Sequence, residues 1–191
     1  MRITGGIARG RALFGPPAKN PFLRPTTDRV REAVFAILGN RVNGATVADL
    51  YSGTGAYGLE SLSRNAARVV FADNSSRAME LLGKNCRKLF PDADIHAFLL
   101  DVSKLSGIEK LQQRLPDIDH FDLIFLDPPY KKELALKTLK LIDAGDIAAP
   151  EATVVVEEHK SVVMPEKLNR LILTDQRQYG ESQISFYALN A

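Results

Sequence analysis

The stretch Phe121–Tyr130, FDLIFLDPPY, decides the fold. Leu123-Ile124-Phe125-Leu126 is a continuous apolar run, the pattern of a parallel strand buried on both faces. Pro128 and Pro129 stop it, because neither can donate to a sheet ladder. The stop is rich in acceptors. Asp127 offers a carboxylate, and the carbonyls of Asp127 and Pro128 have no proline N–H nearby to pair with. Tyr130 adds a flat aromatic face. A stiff set of acceptors beside an aromatic plate suits a flat ligand bearing an amino group, such as a nucleobase.

Around that strand the chain alternates in type. Strands are expected at Thr46–Tyr51, Arg68–Ala72, Ile95–Leu100, Phe121–Leu126 and Ala152–Glu157. Helices are expected at Tyr57–Arg64, Ser75–Leu89, 103–115 and Lys131–Asp143. Repeated βα units of this length give a parallel sheet with helices on both faces. Leu168–Gln176 and Gln183–Leu189 lie too close for a crossover helix, so the sheet is expected to end in an antiparallel hairpin. Upstream, Arg2–Thr4 and Arg11–Phe14 read as two short strands, and Gly15–Pro25, with four prolines, as a loop. Thr26 or Thr27 can cap a helix whose stripe is Val30, Ala33, Val34, Ile37 and Leu38, with Arg29 and Arg31 off the stripe. Gly39 or Gly44 ends it. The expected organisation is one domain over 1–191, with a basic hairpin, loop and helix in 1–44 and an α/β sheet in 45–191.

Composition sets bounds. A chain of 191 residues with 45% apolar content can bury a full core. No apolar run approaches the ~20 residues of a membrane span. Met1 runs directly into Arg2 and a strand-like segment, so no signal peptide is expected. Cys86 is the single cysteine, and His96, His120 and His159 make no zinc spacing. A reducing cytoplasm, no structural metal and no membrane partner are the expectations. Charge is uneven. Residues 1–45 hold eight basic side chains (Arg2, Arg9, Arg11, Lys19, Arg24, Arg29, Arg31, Arg41) against Asp28 and Glu32, a net of +6. The remainder holds 17 basic and 21 acidic side chains, a net of −4. A basic arm on an acidic body points to a polyanion, and arginine suits phosphate through its bidentate fork.

In open α/β sheets, ligands bind beyond the carboxyl ends of the strands. Those ends carry Asp49–Gly58, then Asp73-Asn74, then Asp101-Val102, then Asp127–Tyr130. The first is a G-x-G-x-x-G loop, Gly53-Thr-Gly55-Ala-Tyr-Gly58, preceded by Ser52, and glycines there admit a closely approaching ligand. Asp73 falls about 20 residues on, where a carboxylate can hold ribose hydroxyls. Acidic Asp49 and Asp101 would repel a pyrophosphate, which argues against a nicotinamide dinucleotide. They suit S-adenosylmethionine, which has a sulfonium, an ammonium group and no phosphate. Beside that cofactor, Asp127 and the Pro128 carbonyl would grip an amino group and aim its lone pair at the methyl. Tyr130 would stack on the base, swung out of any helix.

These motifs resemble those of a known family. DPPY after the fourth strand with GTGxxG after the first resembles amino-group methyltransferases of nucleic acids. Arg2–Arg11 (RITGGIARGR), Arg24–Leu38 (RPTTDRVREAVFAIL), Asp49–Arg64 (DLYSGTGAYGLESLSR) and Tyr179–Ser182 (YGES) resemble the RsmD family, bacterial 16S rRNA (guanine(966)-N(2))-methyltransferases. The resemblance is collinear over nearly the whole chain. It implies a Rossmann-like class I methyltransferase fold, with a mostly parallel seven-stranded sheet, a C-terminal antiparallel hairpin and a small basic N-terminal extension. It implies S-adenosylmethionine as cofactor and a guanine amino group as acceptor. It also implies 16S rRNA in an assembled or assembling 30S subunit as partner, and a monomer. The sites then expected are Asp127, Pro128, Pro129 and Tyr130 for catalysis. For the cofactor they are Asp49, Ser52, Gly53, Gly55, Asp73, Asn74, Asp101, Val102 and Asp127. For RNA they are Arg2, Arg9, Arg11, Arg24, Thr26, Arg29 and Arg31. The chain departs from the family at Tyr51-Ser52, often Phe-Ala, and at Asp73, often Glu.

Other residues read as structural: Tyr57 as packing or rim, Cys86 and Met79 as helix-face core, His159 as a strand-end surface residue. Two other functions use the same motifs, an adenine-N6 methyltransferase on DNA or RNA and a non-catalytic rRNA-binding assembly factor. The short chain, with no separate target-recognition domain, weighs against the first, and the intact glycine loop with intact DPPY against the second.

Overall fold

The sheet has seven strands in the order β3-β2-β1-β4-β5-β7-β6. The strands are β1 Thr46–Leu50, β2 Arg68–Asp73, β3 Ile95–Leu99, β4 Phe121–Leu126, β5 Ala148–His159, β6 Leu171–Tyr179 and β7 Ser182–Leu189. The first five are parallel, and β7 runs antiparallel to both β5 and β6. The helices are α1 Asp28–Leu38, α2 Ala56–Ser63, α3 Ser76–Leu89, α4 Leu105–Gln113 and α5 Leu134–Ala144. This is a computed structural model describing residues 1–15, 28–115, 117–130 and 133–190. The mostly parallel α/β sheet with its antiparallel end is the expected fold.

Alternation along the strands sorts their side chains onto two faces. Val47, Val69, Phe71, Leu123, Phe125 and Val155 join one cluster with α1, α2, α3 and the arm residues Ile3, Ala8 and Leu13. Ala48, Val70, Ala72, Ile124, Leu126, Val154 and Val156 join the other, under α4 and α5. Met79 and Cys86 pack against the first cluster as expected, and burial pushes the Cys86 thiol up to about 11. Each buried Phe contributes roughly 1.5–3 kcal/mol. Among the described residues, no helix is long and apolar enough to cross a membrane.

Three expectations about elements change. The basic arm forms a single antiparallel bridge, Arg2 opposite Ala12, rather than two strands. Ile3, Gly10 and Leu13 N–H bond across the arm, but the ladder goes no further because Thr4 and Gly5 N–H donate to Glu60 and Ile7 N–H donates to the Ser63 carbonyl. The fifth strand starts at Ala148 rather than Ala152. A bulge between Phe121↔Ala148 and Leu123↔Thr153 absorbs Pro150 and Glu151. Helix α1 buries Val30, Arg31, Val34, Phe35 and Leu38, so its inward face takes in an arginine that the apolar stripe left out. The expected caps Thr26 and Thr27 lie outside the described residues.

Candidate active site

Strand register builds the rim. Leu50 pairs with Ala72 on one side and Leu126 on the other, and Asp73 pairs with Leu99. The carboxyl ends of β3, β2, β1 and β4 are therefore level and adjacent. Asp101, Asp73, the 49–58 loop and Asp127–Tyr130 follow one another along that edge. The chain reverses direction of winding between β1 and β4, the switch point where open sheets bind ligands.

The loop after β1 is held from below. Gly55 has φ +83°, and a Cβ there would sit 2.4 Å from Leu82 Cδ1, so only glycine lets α3 pack this close. Asp49 is 2% exposed, and its Oδ2 accepts the Gly58 N–H at 2.9 Å. Burial, aided by the charge on Asp73 and opposed by that hydrogen bond, pushes the Asp49 carboxyl up to about 7. Asp73 is oriented by two backbone donors, Gly53 N–H at 2.9 Å and Ser75 N–H at 2.8 Å. The Ser52 hydroxyl is buried with no hydrogen-bond partner among the described residues. Asn74 is exposed and Val102 is buried. Asp101 is held below the usual carboxylate range by the Ser103 hydroxyl at 2.6 Å and by Lys104 at 2.9 Å. A buried carboxylate, a buried hydroxyl and an oriented carboxylate fit an adenosyl cofactor with a cationic end.

At the end of β4, Pro128 is buried, Pro129 exposed, and Asp127 and Tyr130 half-buried. The Tyr130 hydroxyl donates to Glu157 Oε1 at 2.6 Å and lies 2.6 Å from Ser182 Oγ. Tyr57 donates to Glu157 Oε2 at 3.1 Å and stacks on Phe125, centroids 4.7 Å apart, which makes it the packing residue expected. Burial and the negative charge of Glu157 raise both phenols well above their usual range. His159 is more than a surface residue: its ring meets the edge of Tyr130 at 6.0 Å.

The arm is fastened by one carboxylate. Glu60, fully buried, accepts from Thr4 N–H (2.7 Å), Thr4 Oγ1 (2.7 Å), Gly5 N–H (2.8 Å), Arg31 Nε (3.3 Å) and Arg64 Nε (3.0 Å). Arg31 also reaches Asp28 at 3.1 Å and the Arg2 carbonyl. This corrects the expectation that Arg31 contacts RNA, because a fully buried guanidinium cannot meet phosphate. Arg2, Arg9, Arg11 and Arg29 are exposed, although Arg11 donates to the Lys88 carbonyl and Arg2 pairs loosely with Asp28. Arg24 and Thr26 lie outside the described residues. Asn85 ties the arm to the cofactor loop. Its amide accepts from Phe14 N–H (2.7 Å) and donates to the carbonyls of Phe14 (3.0 Å) and Thr54 (2.9 Å).

Glu60, Asn85 and Glu157 escaped the sequence reading. For Glu60 the sequence carries a signal: it is the single charged residue of α2, AYGLESLS, and a lone carboxylate in a helix otherwise uncharged and buried all round requires a partner.

Residues 1–188 match the family described as conserved hypothetical protein 95. The chain belongs to that family, the RsmD family. It is 30% identical over 187 residues to "Putative rRNA methyltransferase YlbH" of Bacillus subtilis, with 98% of each chain covered. It is 34% identical over 165 residues to "Ribosomal RNA small subunit methyltransferase D" of Escherichia coli K12, covering 86% of this chain and 78% of that protein. Among solved structures, "Putative methyltransferase yhhF from Escherichia coli" superposes with a TM-score of 0.81 at 29% identity, covering 100% of this chain and 98% of that one. The family's fold is that of S-adenosylmethionine-dependent methyltransferases.

Proposed function

We propose that this family member methylates the exocyclic N2 amino group of a guanine in 16S rRNA, at the position called guanine 966. Its substrate is the assembled or assembling 30S subunit, met in the cytoplasm by a monomer. The observation that carries the reading is the level strand edge, which sets the glycine loop and its carboxylates directly beside Asp127–Tyr130.

S-adenosylmethionine supplies a methyl carbon activated by a sulfonium. Asp49 would receive the ammonium end, Asp73 the ribose hydroxyls, and Asp101 with Val102 the adenine edge. Gly53, Gly55 and Ser52 shape the loop against the cofactor. A base amino group is a poor nucleophile because its lone pair is delocalised into the ring. Asp127 and the Pro128 carbonyl accept its two N–H bonds and favour the pyramidal form. Positive charge reaches the nitrogen as the new N–C bond forms and the S–C bond breaks, and these fixed acceptors stabilise it there. The methylated amine then loses its proton to Asp127 or to water. Tyr130 stacks on the base, and Pro129 stiffens the turn that carries it. Arg2, Arg9, Arg11 and Arg29 contact the phosphates, with Arg24 and Thr26 as further candidates.

The test supplies labelled S-adenosylmethionine with unmodified 30S particles, naked 16S rRNA and DNA, then digests and identifies the labelled nucleoside. N2-methylguanosine from the 30S particle is the expected product. Label in N6-methyladenosine overturns the guanine assignment. No label, together with an RNA affinity lost in Asp127→Ala, identifies an assembly factor instead.

A further inference from the structure

Base stacking needs an aromatic ring, and phenylalanine supplies one as well as tyrosine does. The Tyr130 hydroxyl therefore has a separate task. Its far end is fixed to Glu157 and Ser182, both at 2.6 Å, while Pro128-Pro129 stiffen its near end and His159 closes on its edge. Glu157 is 3% exposed and also accepts from Tyr57 at 3.1 Å, while Ser182 Oγ, 3.0 Å from the same carboxylate, gives its one proton either to Glu157 or to the Tyr130 oxygen. One carboxylate thus gathers three hydroxyls from three parts of the chain: the DPPY turn, the first turn of α2 and the start of β7. Ser182 begins β7 and Glu157 lies near the end of β5, so the antiparallel register of the hairpin brings the two together.

We propose that Glu157 is a positioning residue, which with Ser182 clamps the Tyr130 hydroxyl and presets the plane of its ring beside Asp127. The inference rests on the reading of Tyr130 as the surface on which the target base stacks. A loose ring would leave the amino group free to drift from the acceptors, and a misplacement of about 1 Å can cost roughly 100-fold in rate.

Four variants, Tyr130→Phe, Glu157→Ala, Glu157→Gln and the double Tyr130→Phe/Glu157→Ala, are compared in single-turnover methylation of 30S particles. S-adenosylhomocysteine affinity is measured by calorimetry on each. Tyr130→Phe and Glu157→Ala each slow transfer by about 10- to 30-fold, with cofactor affinity within about threefold of the parent. The double variant is no slower than the worse single one, because both remove the same clamp. Glu157→Gln keeps an oxygen acceptor and recovers most of the rate, which keeps the test open if Glu157→Ala folds poorly. Rates for Tyr130→Phe equal to the parent, or losses that multiply in the double variant, overturn the clamp. Tyr130→Ala separates this from the reading beneath it. A fast Tyr130→Ala removes the stacking role itself, whereas a slow Tyr130→Ala beside a fast Tyr130→Phe removes only the clamp.

Discussion

Replacing Glu60 with alanine tests how the basic arm is held. The side chain is fully buried and faces two guanidinium groups, a hydroxyl and two backbone N–H donors. Removing one partner of a buried ion pair costs about 3–5 kcal/mol, because the other charge stays in a poor solvent. Arg31, itself 0% exposed, keeps Asp28, so its share falls near the lower end of that range. The N–H groups of Thr4 and Gly5 would each add about 1–3 kcal/mol if they stayed buried and unpaired. Undocking the arm hydrates them and caps the total. The expected loss is therefore about 3–5 kcal/mol, a large part of the roughly 5–15 kcal/mol of an ordinary domain. The chain has no tryptophan, so urea unfolding is followed by far-ultraviolet circular dichroism. Hydrogen exchange at the amides of Ile3, Gly10 and Leu13, which bond within the arm, reads the undocking directly. The double Arg31→Met/Glu60→Met variant is much less destabilised than Glu60→Ala, because no fully buried charge is left stranded; Arg64 and Asp28, each partly exposed, can be hydrated. A Glu60→Ala protein within 1 kcal/mol of the parent, with arm exchange unchanged, refutes the account.

Asp127→Asn lowers the single-turnover rate by about 100- to 1,000-fold, the scale of losing one preorganised electrostatic partner, while S-adenosylhomocysteine affinity changes little. Asp49, whose carboxyl moves from 3.8 unfolded to about 7 folded, makes the cofactor-free protein bind more protons than the unfolded chain in that window, so its contribution to stability falls as pH rises through it. Asp49→Asn abolishes that slope in urea titrations, and parent protein at pH 6.5 releases about one proton on binding S-adenosylhomocysteine, read by calorimetry in buffers of different ionisation enthalpy. Asn85→Leu strands the Phe14 backbone and the Thr54 carbonyl, and weakens cofactor binding about tenfold with faster exchange at Gly55. Gly6→Ala places a Cβ 1.7 Å from the Ser63 carbonyl at φ +74° and lowers Tm by at least about 3 °C, measured by scanning calorimetry.

The parallel strands and the site motifs were legible for one reason: both lie in local sequence. Leu123–Leu126 announces a buried strand, and Asp127-Pro-Pro-Tyr130 must then stand at its carboxyl end. Once register levels β1, β2 and β4, the rim follows without further information. Partners distant in sequence were not legible. Glu60 meets Thr4 and Arg31 across 56 and 29 positions, and Asn85 meets Phe14 across 71. The Pro150 bulge was hidden for a different reason, since a proline in a strand ordinarily argues that the strand has not yet begun.

The errors share a cause that bears on function. A charge off the apolar stripe, as Arg31 is, belongs on the surface by default. Arg31 lies inside because α2 carries a carboxylate where the arm and α1 converge, and a paired buried charge then fixes their register. Tyr130 shows the same logic, with buried Glu157 fixing a hydroxyl instead of a guanidinium. In both places a buried carboxylate distant in sequence holds a motif residue in place. In the proposed reading the DPPY turn and the basic arm supply the groups that touch substrate, and Glu157 and Glu60 supply the rigidity beneath them. Substitution at Glu157 thus separates positioning from chemistry: the Asp127 carboxylate stays intact, and the rate falls while cofactor affinity holds.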